Sequence, residues 1–411
     1  MRPSFNKISN PSIAHADKEI VISSECDYKL PSKVFTSKTL VRLKLGIGGD
    51  DGELIIDVQQ VLLPKLKTLY LHGLVSFEDS GVACAKLISR CHVLEELVMI
   101  DLMWGLLDFC SVSNPTLKSA TICCEVIHEN PLSVSFDTPN LVYLEFTDVV
   151  AVKYPKVNLD SLVEARHGLR LTPYQIIKAR YSVDGVEEEM VGNATDFLMG
   201  ISNVKILYLS SNTLEVLNFC CKTIPVFNNL TYLTIETDRD VGWESLPNLL
   251  ENCPNLETIV FKGLHYRDTN QCSDEGYRFK DANKCFEEDA DRCVCKPWEW
   301  THIGLSSSPV KILEVLKFGE VFRNKNHMDR QTEVIKYFLQ TMPNLEQVTL
   351  YFDTPFDNDL SILSTELQAL EKVASPKCKI QVISYNISFS STVHSSSSTG
   401  GLVFFTNNFP V

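Results

Sequence analysis

The 411-residue chain contains no apolar run as long as the roughly 18 residues that a membrane-spanning helix needs. Its first 17 residues lack the apolar stretch of a secretory signal, so the expectation is an intracellular protein, cytoplasmic, nuclear or both, with no membrane partner. Basic residues are in deficit, with 38 Lys and Arg against 52 Asp and Glu, a net charge of -14 and no basic stripe. That balance excludes general affinity for a phosphate backbone, so no nucleic-acid partner is expected. The signatures of catalysis are also missing: there is no nucleophile elbow, Walker loop, dinucleotide-binding glycine turn, HExxH or kinase motif. Gly46, Gly48 and Gly49 follow a strand-like segment but lack the Lys and Ser/Thr of a phosphate loop, so they read as a turn. Nine histidines are scattered without metal or catalytic spacing. The chain is read as not an enzyme and as carrying no cofactor.

Cysteine is present, at 14 residues, but not in the paired C-x2-C knuckles of a tetrahedral zinc site. Cys272, Cys285, Cys293 and Cys295 precede His302 at spacings that do not make a metal site, and they read as reduced loop cysteines. Cys84, Cys91 and Cys253 fall at core-facing positions, where a reduced Cys acts as a small hydrophobe. The sequons at Asn193, Asn229 and Asn386 carry no weight inside a cell.

What the chain does have is a ladder, L-x-x-L-x-L-x-x-L. Its clearest copies are Leu66, Leu69, Leu71, Leu74; Leu94, Leu97, Met99, Leu102; Leu141, Leu144, Phe146, Val149; and Leu256, Ile259, Phe261, Leu264. The x-L-x-L-x core alternates as a strand does, and one such turn cannot bury its apolar side alone, so copies must stack. The spacing predicts an α/β fold: a leucine-rich-repeat solenoid, a curved sheet of short parallel strands with helices on the convex side. A composition of 44% hydrophobic and 22% charged residues supplies a folded core. At this length an extended array is allowed because each repeat touches only its neighbours.

First ladder leucines fall at Leu40, Leu66, Leu94, Leu117 and Leu141, at steps of 26, 28, 23 and 24 residues. The copy at Leu117 has Ala120 in its second slot, and residues 159 to 171 match loosely. After the acidic run Glu187 to Glu189, read as a solvated loop, the ladder resumes at Val204, Leu207, Leu209, then Leu230, Leu233, Ile235. Later copies are read at Leu313, Leu316, Phe318 and at Leu345, Val348, Leu350. Helices are predicted from the apolar faces Leu246, Leu249, Leu250, Cys253 and Val334, Ile335, Phe338, Leu339, ended by Pro254 and Pro343. The predicted organisation is a cap or remnant at 1–37, leucine-rich repeats at 38–265, an acidic Cys-containing insertion at 266–297, a repeat region at 298–386, and a Ser-rich disordered tail at 387–411.

Several strings carry a family resemblance: Leu30 to Val41, Gly200 to Lys205, Thr213 to Leu217, Pro225 to Thr231, Trp243 to Pro247 and Asn252 to Glu257. Further strings are Leu305 to Lys311, Leu316 to Glu320, Met342 to Gln347 and Ala374 to Lys379. In these the chain resembles a plant F-box protein with leucine-rich repeats and a C-terminal FBD domain, and residues 298–386 are its FBD-like region. The resemblance implies the substrate receptor of an SCF-type E3 ubiquitin ligase, whose F-box docks on the Skp adaptor of a cullin. The departure is at the front: Leu30-Pro31 belongs to the first repeat, all four tryptophans lie after position 100, and no F-box is recognised. Skp adaptor and cullin are therefore partners only where an F-box is hidden or supplied. The alternatives left open are an F-box-less adaptor or competitor, and a truncated product.

Residues between the core leucines point the other way and are expected to line the concave sheet face. They are Arg42, Lys44, Thr68, Tyr70, His72, Glu96, Tyr143, Glu145, Tyr208, Tyr232, Thr234, Glu236 and Lys262. Tyrosine recurs there, either because it favours strands or because it anchors an unknown protein substrate.

Overall fold

The computed structural model describes residues 12–16, 19–24, 28–47, 54–56, 58–73, 75–77, 81–102, 109–124, 131–176, 192–238, 241–265, 305–319, 328–352, 359–384, 388–391 and 403–405. The insertion at 266–297, including Cys272, Cys285, Cys293 and Cys295, lies outside the described residues. So do His302, the acidic run 187–189, and Gly48 and Gly49. The chain divides into two compact units, residues 1–204 with 219–225 and residues 205–218 with 226–411. The division falls within the 38–265 repeat segment.

In the first unit, short parallel strands lie side by side in chain order: Glu19–Ser24, Arg42–Ile47, Thr68–His72, Glu96–Ile100, Ser119–Cys123, Tyr143–Val149 and Glu164–Arg170. The order follows from the ladder, because each strand buries its alternate residues only when its neighbour repeats the pattern in register. Leu43, Leu69, Leu97, Ala120 and Leu144 share one buried row, and Leu45, Leu71, Met99, Ile122 and Phe146 share the next. Burying one such leucine contributes about 2 kcal/mol.

Each step between repeats is closed by the residue after the first ladder leucine. The Lys67 amide donates to the Val41 carbonyl at 2.8 Å, Glu95 to Lys67 at 2.9 Å, Lys118 to Glu95 at 2.9 Å, Val142 to Lys118 at 2.8 Å and Val163 to Val142 at 3.0 Å. This chain of hydrogen bonds resolves the loosely matching stretch. Its repeat is regular, with Leu162, Ala165 and His167 in the ladder slots, and the pattern is hard to see because a histidine stands where a large apolar residue is usual.

The return segments of this unit depart from the expected helices. Val82–Arg90 is helical, but Leu54–Ile56 with Tyr28–Lys29 and Val75–Phe77, and Ser133–Asp137 with Phe109–Ser113 and Val157–Asn158, form two small parallel sheets. Ser133–Asp137 and Phe109–Ser113 alternate half-buried and buried residues with a period of two. An extended return covers about 3.3 Å per residue against 1.5 Å in a helix, which suits Phe109–Ser113 and Ser133–Asp137 to their shorter 23- and 24-residue steps. The 1–37 segment contributes Glu19–Ser24 to the main sheet, and Ser12–Ala16 adds an antiparallel edge.

The second unit repeats the scheme with Ile206–Leu209, Tyr232–Glu236, Thr258–Lys262, Ile312–Phe318, Gln347–Phe352 and Lys379–Ser384 in parallel. Here the returns do form helices, Leu246–Glu251 and Met328–Thr341, and their expected faces are buried. Trp243 stacks on Phe261 at 5.3 Å, and Phe261 on Phe338 at 5.5 Å, tying the strand to the turn before one helix and to the body of the other. Asparagines before the first leucine hold successive turns together: the Asn255 side-chain amide donates to the Asn228 carbonyl and Asn344 to that of Ser308, both at 2.8 Å.

Two readings change in this unit. The copy placed at Leu313, Leu316, Phe318 has a different register: Leu313 pairs with Ile259 and Val315 with Phe261, so Val310 takes the first slot and Leu316 faces outward. A register shift between Val315 and Phe318, where Lys317 has φ 58, then returns Phe318 to the core. Within the 387–411 tail expected to be disordered, Ser388–Ser391 pairs antiparallel with Lys379–Ser384, and Val403–Phe405 pairs with it in turn. Serine content argued for disorder, but the last parallel strand presents unpaired backbone groups that a following segment can satisfy.

Candidate functional site: the outward strand faces

The alternation that builds the core fixes the opposite face. In the first unit the outward rows run Glu19, Arg42, Thr68, Glu96, Ser119, Tyr143, Glu164, then Val21, Lys44, Tyr70, Val98, Thr121, Glu145, Arg166. Arg42, Lys44 and Glu96 are exposed, whereas Thr68, Tyr70, His72, Tyr143 and Glu145 are half-buried by their neighbours. Every expected residue of this unit therefore points away from the core.

Half of these outward residues are charged, and the two signs are locally paired. Lys44 pairs with Glu19 at 3.5 Å, the Thr68 hydroxyl donates to Glu96 at 3.2 Å, the Tyr143 hydroxyl to Glu145 at 3.2 Å, and Arg166 to Glu164 at 3.1 Å. Exposed pairs of this kind add little stability, and they leave a face that exchanges its partners easily. Burial, with the Glu145 charge behind it, pushes the Tyr143 phenol up to about 12, so it stays a neutral donor. The Tyr70 and His72 rings lie 6.3 Å apart.

In the second unit the expected residues are also outward. Tyr232 is exposed, and Tyr208, Thr234, Glu236 and Lys262 are half-buried. Three of them form one linked set: the Tyr208 hydroxyl donates to Glu236 at 3.0 Å, and the Lys262 ammonium donates to the Tyr208 oxygen at 3.2 Å and sits 4.6 Å from the ring centroid. The register correction adds residues that the sequence reading missed. Ile312, Glu314 and Leu316 face outward beside Thr258, Val260 and Lys262, and Tyr351 follows on the next strand. The available signal was the I-x-E-x-L alternation around Glu314, masked by the competing leucine spacing.

Beneath these faces several ionisable groups are buried. Burial pushes the thiols of Cys91 and Cys253 up to about 12, which removes the thiolate a nucleophile needs. Asp148 is buried and raised to about 7, with its carboxylate accepting the Val149 amide at 2.7 Å, and Arg170 reaches the Cys124 carbonyl at 2.6 Å. Among the described residues no three His, Cys, Asp or Glu side chains converge as a metal site, and no helix is long and apolar enough to cross a membrane.

A parallel ladder with an apolar inner side and a polar, tyrosine-bearing outer side defines a leucine-rich-repeat protein. Residues 18–212 match the family model described as FBD-associated F-box protein At5g56370, LRR repeats. The chain is 54% identical over 379 residues to F-box/LRR-repeat protein At3g59210 of Arabidopsis thaliana, covering 92% of this chain and 74% of the relative. It is 50% identical over 392 residues to putative F-box/LRR-repeat protein At3g59230 of the same plant, covering 93% and 75%. Putative F-box/FBD/LRR-repeat protein At3g59240, also from Arabidopsis thaliana, is 49% identical over 358 residues, covering 87% and 66%. No solved structure matches the chain. The chain belongs to the plant F-box/LRR-repeat family.

Proposed function

We propose that this chain is the substrate-recognition module of an SCF-type E3 ubiquitin ligase, holding a protein substrate on its outward strand faces. The observation that supports this reading is the division of the ladder strands into a buried apolar side and an outward side on which Tyr, Glu, Lys and Arg recur. Such a face offers large amphipathic anchors among exchangeable charges, the composition of protein interfaces. The names of the relatives join F-box and repeats in single proteins. In that design the receptor performs no acid or base chemistry. It contributes proximity, bringing a bound substrate to the ubiquitin-charged enzyme.

The experiment is a purified pull-down of this chain with a plant Skp adaptor, with a full-length F-box relative as positive control. Capture is the result expected of a ligase receptor. Failure to capture, with the control intact, moves the reading to an adaptor or competitor that binds partners outside a ligase.

A further inference from the structure

The outward face of the second unit differs from that of the first in one place. Glu314, on Ile312–Phe318, is half-buried, and among the described residues no hydrogen bond or ion pair reaches its carboxylate. Glu236, the other outward carboxylate on the described strands of this unit, accepts the Tyr208 hydroxyl. The cation that register places nearest, Lys262, is committed to Tyr208 on the far side of its strand. Directly beside Glu314 stand Val260 and Thr349, both buried, and two residues along its own strand in either direction stand Ile312 and Leu316.

Two tyrosines complete the surroundings. Tyr351 lies two residues past Thr349 on the adjoining strand, and Tyr232 is in register, through Thr258, with Ile312; the phenols of both are pushed up by burial and then by the Glu314 charge. Each tyrosine has an exposed isoleucine in register on its outer side, Ile206 at 38% beside Tyr232 and Ile383 at 37% beside Tyr351. The result is a mixed patch, with Thr258, Gln347 and Gln381 set among the apolar and aromatic residues, that holds one unneutralised negative charge. A solvated surface does not need that arrangement, because desolvating a carboxylate without a partner costs stability.

We propose that Glu314, Tyr232 and Tyr351 form the seat for an arginine side chain of a protein partner, with the partner's apolar residues resting on the flanking isoleucines and Leu316. This deepens the recognition reading above and rests on it. Charge complementarity selects a cation. The planar guanidinium stacks on phenol rings, forks onto a carboxylate and sheds water more readily than an ammonium, so it is favoured over lysine.

The test is fluorescence anisotropy of the full chain with a fluorescein-labelled peptide Gly-Leu-Arg-Leu-Gly, beside versions with lysine or citrulline at the centre. The arginine peptide binds, citrulline binds roughly tenfold more weakly as expected for one lost charge-assisted pair, and Glu314→Gln abolishes the difference whereas Glu333→Gln, on an exposed helix position, preserves it. Equal binding of arginine and citrulline, equal binding of lysine, or discrimination surviving in Glu314→Gln overturns the inference, as does an arginine peptide without signal at millimolar concentration. A thermal melt separates a recognition role from a structural one: Glu314→Gln holds or raises Tm, and a clear drop would make Glu314 a structural residue. These outcomes are independent of the Skp pull-down, so either proposal can fail alone.

Discussion

His167 pairs in register with Phe146 on the neighbouring strand and occupies the same core-facing slot, buried to 2% exposure. Its ring meets Phe197 edge-on at 4.5 Å. Burial holds the imidazole down to about 3, so it is neutral in the folded protein at ordinary pH. The unfolded chain takes up a proton near pH 6.5. Because the folded value is depressed, stability is lost progressively as pH falls from about 6.5 toward 3. His167→Leu restores the ladder residue and removes that loss. The difference in Tm between variant and wild type is expected to be larger at pH 5 than at pH 8. A difference that does not change with pH would contradict this.

Asp148, two residues beyond Phe146, has the opposite sign. Its folded value of about 7 lies above the unfolded value near 4, so the folded state binds the proton first as pH falls. Its contribution therefore improves as pH drops through about 7 and is least favourable at alkaline pH. Asp148→Asn keeps an acceptor for the Val149 amide and never ionises. It is expected to raise Tm at pH 8, with the advantage shrinking by pH 5. An advantage that grows toward pH 5 would refute the assignment.

The two sides of one strand separate stability from surface. Leu207 is 1% exposed and its neighbour Ile206 is 38% exposed. Leu207→Asp places an unpaired charge in the core and should cost about 3–5 kcal/mol, seen as unfolding or aggregation in a thermal melt. Ile206→Asp should shift the melt little. Equal losses at both positions would show that the strand alternation is misassigned.

Gly168 lies beside Thr147 on the next strand, and a Cβ added there would overlap the threonine side chain. Threonine is β-branched and yields poorly. Gly168→Ala should destabilise by about 1–3 kcal/mol through overpacking, and Thr147→Ala in the same chain should recover part of the loss. Denaturant midpoints of the single and double variants test the coupling, and strictly additive losses would contradict it.

The ladder made the parallel sheet legible because leucine spacing and strand alternation both derive from burial. Leu43, Leu71, Leu97, Leu207 and Ile259 are all buried where the spacing put them. It failed where one signal imitated another. At residues 313 to 318 leucine spacing favoured Leu313 and Leu316, whereas the neighbouring strand selected Leu313 and Val315, and the error hid Glu314. At His167 the slot was right but the residue unusual. The return strands Phe109–Ser113 and Ser133–Asp137 were readable from their own period-two pattern, yet the expectation of helices from longer repeats overrode it. The outward residues themselves followed directly from alternation, since a side chain that cannot enter the core has only the opposite face.

The central claim is that the outward tyrosines bind a protein partner without holding the fold together. The direct measurement is the affinity of the purified chain for a substrate recovered through it, comparing wild type with Tyr70→Ala, Tyr143→Ala and Tyr232→Ala, and with Tm recorded for each. The account predicts a loss of affinity of roughly tenfold or more in at least one variant, as expected for an interface hot spot, with melts close to wild type. Unchanged affinity in all three, or losses that track only with falling Tm, would contradict it.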